Sequence, residues 1–351
     1  MHLRPAGAVF GSLAFAMATT LGGCGKGSSA PTADPHASGL APTAKPALAV
    51  LPRLTLTATI DNLTEPAAIL ATSDGVWVLD HSASTLVRID PATNEIAASV
   101  ALGTGFSNGL GLAAGRLWTF NQSGGAVLGV DPKTAKIVVT VRLGADGDTF
   151  AVGDEAAWLV TGGKLARIDG KTAKVTMLPI PASCEVAGLA VGGGFVWLAS
   201  EGGDLCKIDE ETGELVKHGA GVGRGMGMAI VDGAPWLPGG DNGLSIVDAT
   251  TLAVATAFPP PADGEFEGSA YSIGRAGENA VIVGAADGKT GWIRYTGATV
   301  ARVAVGGSPA LVLYAGFPAD LLGGGVLEAF GSLWVANFGA GSVERYELPT
   351  P

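Results

Sequence analysis

GVWVLDHSASTLVRIDPATNEIAASVALG, residues 75–103, holds three short runs in which Val, Ile, Leu and Trp alternate with smaller or polar residues. That alternation is the period of a pleated strand and not of a helix. Between the last two runs lies Asp90-Pro91-Ala92-Thr93. Aspartate bonds its own backbone two residues on and proline presets a turn's backbone angle, so this aspartate reads as a turn-former and not as a ligand. The same phrase returns as RLWTFN with AVLGVDPKTAKIVVTVRLG, AAWLVT with KLARIDGKTAKVTMLPI, FVWLAS with LCKIDEETGELVKHG, and APWLPG with LSIVDATTLAVATAF. Its tryptophans, Trp77, Trp118, Trp158, Trp197 and Trp236, stand 41, 40, 39 and 39 residues apart. A period of about 40 to 45 residues with a short aromatic strand in each unit predicts propeller blades, sheets that cannot bury their faces alone.

Two weaker units extend the series. Residues 280–305 fit the template with Ile282 in the tryptophan slot, which leaves Trp292 out of register, and residues 331–348 fit it around Trp334. The predicted fold is therefore all-β, a seven-bladed β-propeller of four-stranded blades over residues 51–351. The last unit stops after its third strand, whereas LTLTATI, residues 54–60, is a strand without a blade. An N-terminal strand completing the last blade would close the ring and remove an open sheet edge.

The chain before the ring reads as a targeting segment and a tether. Residues 1–23 combine Arg4 with an apolar run and end in Leu21-Gly22-Gly23 before Cys24, the pattern of a signal peptide. Leu21 to Cys24 resembles the lipobox of bacterial lipoproteins, which implies a lipidated Cys24 as the mature N-terminus and the lipid bilayer as a partner. Residues 24–50, rich in Pro, Ala, Ser and Gly and poor in aromatics, predict a flexible tether. Gly25 is not the aspartate that marks inner-membrane retention in Gram-negative lipoproteins. The expected address is the outer membrane, or the outer face of the cytoplasmic membrane where no outer membrane exists.

A net charge of −11 disfavours nucleic acid and anionic membrane surfaces as partners of the ring itself. With Cys24 assigned to lipid, Cys184 and Cys206 remain, both in the fourth unit, and an oxidising envelope favours a disulfide between them. A monomer is expected.

Chemistry on a propeller lives in its loops. Loops that enter the innermost strand and loops that join the second strand to the third share one face around the central channel. The residue three after each template position starts the second kind of loop: Asp80, Asn121, Thr161, Ser200, Gly239, Ala285 and Asn337. His81, Glu201 and Asp241 adjoin them, and Asp146, Asp148, Glu185 and Arg224 fall in entering loops. The spacing lengthens to 46 residues from Trp236 to Ile282 and to 52 from Ile282 to Trp334. The extra residues are assigned to two entering loops, 259–269 with Glu265, Phe266 and Glu267, and 308–325 with Tyr314 and Phe317. Insertions gathered on one face mark the binding face of a repeat protein, here for a cationic or sugar-like ligand or a protein partner. No metal-ligand cluster, GxSxG or phosphate-binding glycine loop is present, and only His81 and His218 fall inside the ring, so neither cofactor nor metal is expected.

The phrases VWVLD with VRIDPATNEIAASV, and LWVANFGAGSVERYEL, resemble the repeat of YVTN-type bacterial propellers, a group similar in turn to the virginiamycin B (streptogramin) lyase family. The first resemblance implies a scaffold over residues 54–348. The second implies a histidine base and magnesium-supported elimination, yet the last two units contain no histidine and no lyase residue can be carried over. The expected function is a lipid-anchored envelope propeller that binds a protein or small ligand through its loop-rich face, with a lyase-like enzyme as the alternative.

Overall fold

Every alternating run of the sequence becomes a strand, and successive runs within a blade pair antiparallel because turns of two to six residues leave no other choice. The computed structural model describes residues 53–144, 147–222, 228–238, 244–258 and 325–348, together with four strands between 282 and 315. All of them lie in one unit, Leu48–Pro351. The expected signal peptide, tether and lipidated Cys24 lie outside the described residues.

The chain opens with β1 (Thr55–Ile60). The first blade is β2 (Pro66–Thr72), β3 (Gly75–Asp80), β4 (Thr85–Asp90) and β5 (Glu95–Ala101). The second is β6 (Ser107–Ala113), β7 (Arg116–Asn121), β8 (Ala126–Asp131) and β9 (Lys136–Arg142). The third is β10 (Gly147–Val152), β11 (Ala156–Thr161), β12 (Lys164–Asp169) and β13 (Val175–Pro179). The fourth is β14 (Gly188–Gly192), β15 (Phe195–Ala199), β16 (Leu205–Asp209) and β17 (Leu215–Gly219). The fifth is β18 (Ala229–Val231), β19 (Ala234–Pro238), β20 (Leu244–Val247) and β21 (Val254–Phe258). A further sheet joins β22 (Ile282–Gly284), β23 (Thr290–Arg294), β24 (Thr299–Ala304) and β25 (Ala310–Ala315). The closing blade is β26 (Val326–Ala329), β27 (Ser332–Asn337) and β28 (Ser342–Glu347), completed by β1.

Ring closure follows the sequence expectation. β1 runs antiparallel to β28, with Thr55 opposite Glu347 and Ile60 opposite Val343, so the two ends of the propeller share one sheet. The innermost strands touch in the order β2, β6, β10, β14, β18, β22, β26 and back to β2.

The expectation of a seven-bladed propeller is corrected. Six blades, not seven, are formed of described side chains around a fully buried tryptophan: Trp77, Trp118, Trp158, Trp197, Trp236 and Trp334. The sheet β22–β25 is not built as predicted. Ile282 begins its inner strand and does not occupy the tryptophan slot, while Trp292 sits on the second strand, opposite Val283 on one side and Arg302 on the other. Residues 310–315, assigned from the sequence to an entering loop, are the fourth strand of this sheet, with Ala304 opposite Ala310. A single lengthened interval therefore replaces the two inferred ones: 56 residues from Trp236 to Trp292, then 42 to Trp334.

Trp77, Trp118, Trp158, Trp197 and Trp334 each pack between sheets, as their spacing predicts. Trp77 meets Leu117, Leu128 and Val130 of the second blade, and Trp334 meets Val76, Val78 and Ile89 of the first. The inner strands approach so closely that a side chain on one fills the place of a missing side chain on the next. A Cβ on Gly111 would overlap the Cβ of Val152 in the third blade.

A basic residue directly across the pair from the tryptophan ties blades together. Arg88 lies over Trp77, Arg167 over Trp158, Lys207 over Trp197 and Arg345 over Trp334, with the cation 5.8, 5.8, 5.3 and 4.8 Å from the ring centre. Three of these reach a backbone carbonyl in the next blade's outer turn: Arg88 to Pro132, Lys207 to Ala249 and Arg345 to Pro91. The turns themselves are held by their aspartates as the sequence predicts. Asp131 Oδ1 accepts from the N–H of Lys133 at 2.8 Å, and Asp209 Oδ1 from the N–H of Thr212 at 2.8 Å. These hydrogen bonds, from backbone N–H groups above all, hold both carboxyls below the ordinary aspartate range.

Candidate functional site

In an antiparallel four-stranded blade, the turn from the second strand to the third and the connection to the next blade's inner strand lie at the same end of the sheet. Loops 61–65, 81–84, 102–106, 122–125, 162–163, 180–187, 200–204 and 338–341 therefore rise from one face of the ring.

The residues predicted to ring the channel mouth are used up inside these loops. Asp80, Asn121, Thr161, Ser200 and Asn337 are all buried. Each ends a second strand or, for Ser200, directly follows one, where free N–H groups of the following loop need acceptors. Asp80 accepts from the N–H groups of Thr64, Glu65 and Ala83 at 2.7, 3.0 and 3.3 Å. Asn121 accepts from the N–H of Gly124 and donates to Ser84 Oγ, 3.0 Å away, and to the carbonyl of Leu102. Ser200 Oγ accepts from the N–H of Asp204 at 2.9 Å, and Asn337 accepts from the N–H of Ala340 and donates to Glu344. They lock the loops in shape, and the groups offered to solvent are their neighbours.

One such group is a cluster of rings contributed by three consecutive blades. His81 follows β3, Phe106 precedes β6, and Phe338 follows β27. The imidazole of His81 stacks on Phe106, with centroids 5.1 Å apart and planes 16° from parallel, and lies tilted against Phe338 at 6.3 Å. His81 Nδ1 donates to the carbonyl of Ser107 at 2.9 Å, which leaves Nε2 as the outward ring nitrogen, unbonded among the described residues. Beside it, Ser82 Oγ donates to Glu65 Oε2. Phe106 is 46% exposed, an unusual position for a phenylalanine held on both sides of its own backbone. Its N–H donates to Ser123 Oγ and its carbonyl accepts from the N–H of Gln122, at 3.0 and 2.9 Å. Gly105 makes this loop possible: its φ is +85°, and a side chain there would overlap Ser123. Underneath, Ser84, Ser107 and Asn121 form a buried hydrogen-bonded network, so the cluster stands on a rigid base.

Among the described residues the charge in these loops is of one sign. The eight loops carry Asp61, Glu65, Glu185, Glu201 and Asp204 and neither Lys nor Arg. Turns on the opposite face are also acidic on balance but mixed in sign, with Lys133, Lys171 and Lys174 among carboxylates such as Asp154, Glu155, Glu211 and Asp232.

Of the remaining sequence-predicted residues, Glu201 is exposed on the mouth face but stands apart from the ring cluster. Arg224, Asp241, Glu265, Phe266, Glu267 and Phe317 lie outside the described residues, as does the side chain of Tyr314, whose backbone belongs to β25. Cys184 and Cys206 form the expected disulfide, which pins the loop entering β14 to β16. Phe106 and Phe338 escaped the sequence reading because neither sits in a lengthened interval. The usable signal was a large apolar residue among Gly, Ser and Thr, at Gly103 to Ser107 and again at Asn337 to Gly341.

Fold and mouth together define a β-propeller of four-stranded blades. Solved structures agree on that class. The chain is similar to the β-propeller domain of Cps50 (Swd1) from Myceliophteria thermophila, at 14% identity and a TM-score of 0.67, over 84% of this chain and all of that one. It is also similar to a catalytically inactive variant of virginiamycin B lyase from Staphylococcus aureus, solved with quinupristin, at 15% identity and a TM-score of 0.61, over 85% of this chain and 99% of that one. At such identities the likeness is one of fold alone. No protein-family model and no curated protein matches the chain.

Proposed function

We propose that the protein is a lipid-anchored binding module of the bacterial cell envelope. On this reading it is held by an acylated Cys24 on a flexible tether of residues 24–50, in the outer membrane, and takes an envelope protein or small ligand on the mouth face of its propeller. The observation that carries the binding reading is the ring cluster of His81, Phe106 and Phe338, in which Phe106 is exposed and its partners are half-buried. An apolar ring kept in water by a backbone bonded on both sides is the ordinary equipment of a recognition site.

The support for an anchor is the Leu21-Gly22-Gly23-Cys24 sequence and the composition of residues 24–50. Several acyl chains on one cysteine hold stably where one holds only marginally. The lyase likeness is one of fold, and the last two units of the sequence contain no histidine to match a lyase base. A streptogramin incubated with the protein and magnesium is therefore expected to stay intact.

The test compares the intact protein with Phe106→Ala and Cys24→Ala in the native envelope. Cys24→Ala is expected to move the protein from membrane to soluble fraction, and mass spectrometry of the intact protein to show the acyl mass. A chemical crosslink between mouth and partner is expected for the intact ring and not for Phe106→Ala. Equal crosslinking by both would refute the mouth as binding face, and turnover of the streptogramin would replace the binding reading with the enzymatic one.

A further inference from the structure

Resting on the mouth as binding face, we infer that its ligand is an organic cation, a substituted ammonium or guanidinium group seated against Phe106 beside Glu65. Two independent observations meet at this place. The first is chemical: Phe106 is 46% exposed although His81 stacks on one face of its ring, and a ring presents negative potential to whatever lies over its face. Glu65 brings a carboxylate to the same cluster: its Oε2 accepts from Ser82 and its backbone carbonyl from the N–H of His81. The second is electrostatic: the described loops of this face carry five carboxylates and no Lys or Arg, in a chain of net charge −11. A mouth of one sign raises the local concentration of the opposite ion and disfavours anions. A planar neutral ligand would use the rings and leave the charge unexplained. A metal ion would use the charge and leave the rings unexplained, and no group of three metal-binding side chains exists among the described residues.

The neighbouring interactions fix the geometry of the seat. His81 is held by the Ser107 carbonyl and covered by Phe106 and Phe338, so it acts as the backing of the stack and not as the contact. Phe106 offers its outer face, and its backbone is bonded to Ser123 and Gln122, so little ordering is required on binding.

The experiment is a proton NMR titration of the full-length protein with tetramethylammonium, against neutral 3,3-dimethylbutanol, a probe of similar shape without the charge. Saturable broadening and shift are expected for the cation only. Phe106→Leu, which keeps apolar volume and removes the ring face, is expected to weaken the cation about three- to fivefold, the usual worth of one exposed cation–ring contact. Glu65→Gln is expected to weaken it by a similar factor at low salt and less at high salt. A thermal melt of each variant, unchanged for Phe106→Leu, separates loss of the seat from loss of fold. Equal binding of the neutral probe, or an unchanged affinity in Phe106→Leu, would overturn the cation assignment while leaving the crosslinking test of the mouth intact. Absence of any response from the cation, where Phe106→Ala still abolishes crosslinking, would equally overturn the ligand class and spare the binding face.

Discussion

Arg345→Met is the substitution expected to loosen the ring most for the least change in packing. Arg345 projects from the closing blade over Trp334, and its Nε donates to Ser332 Oγ at 2.9 Å. Its Nη1 donates to the carbonyl of Pro91 at 2.6 Å and to Asn94 Oδ1 at 2.8 Å, both in the outer turn of the first blade. It thus bridges the two ends of the propeller next to the β1–β28 pairing. Methionine retains the apolar stem that covers the indole and removes only the guanidinium. A hydrogen bond to a charged group contributes about 1.5 to 3 kcal/mol when water cannot replace it. Arg345 is half-buried, so about 1 kcal/mol for each of the three is the reasonable share. With a fraction of a kcal/mol for the cation over the ring, the expected loss is about 3 kcal/mol.

Arg88 provides the internal control. It occupies the same register over Trp77, but at 5.8 Å, with one 3.4 Å contact to Pro132. Arg88→Met is therefore expected to cost about 1 kcal/mol or less. Equilibrium urea unfolding followed by tryptophan fluorescence measures both. For about 300 residues the unfolding entropy makes 3 kcal/mol equivalent to a fall of about 5 °C in Tm. Equal losses for R345M and R88M, or a loss below about 1 kcal/mol for R345M, would refute the view that closure is latched by this arginine.

Further expectations follow from other joints of the ring. Replacing Cys184 and Cys206 together by serine is expected to cost about 3 kcal/mol in the chain-entropy view, measured as the urea midpoint against the oxidised parent. Gly111→Ala is expected to destabilise by about 1 to 3 kcal/mol, because the new methyl meets Val152 of the next blade, and a melt at the parent's Tm would refute that crowding. Burial raises the carboxyl of Glu210 above the usual range, against the pull of Arg167, so its ionised form costs stability above that folded value. Glu210→Gln is accordingly expected to stabilise the protein at pH 7 and to make no difference once both states are protonated below about pH 4, a comparison made by urea unfolding across pH. Asp131, Asp169, Asp209 and Asp248 titrate the other way: their folded values are lowered, so the stability they lend is present above about pH 4 and is lost as pH falls through those values. Acid unfolding that sets in well above pH 4 would contradict that assignment.

The strands, the tryptophan packing, the β1–β28 closure and the disulfide were legible because each rests on a local pattern or a count: alternation, a fixed period, one orphan strand and one unfilled blade, two cysteines in one unit. The register of residues 280–315 was not, because Ala280 to Val283 has the apolar density of a tryptophan strand and hydropathy alone does not separate an inner strand from a second one. Side-chain pairing across the sheet does separate them. Trp77, Trp158, Trp197 and Trp334 are followed by Arg or Lys after 11, 9, 10 and 11 residues, and Trp292 is followed by Arg302 after 10. Ile282 has no Lys or Arg in the corresponding window, residues 291–293. The site was obscured for a related reason. Residues repeated around the ring, including Asp80, Asn121 and Asn337, are repeated because every blade needs its loop N–H groups satisfied, and a group spent on that need is withdrawn from ligands. Phe106 and Phe338 answer no need that recurs in each blade, and Phe106 remains in water although its own N–H and carbonyl are both bonded. On a repeat scaffold, departures from the template that the template's own packing does not require are the positions free to be selected for binding, and here two of them converge on His81.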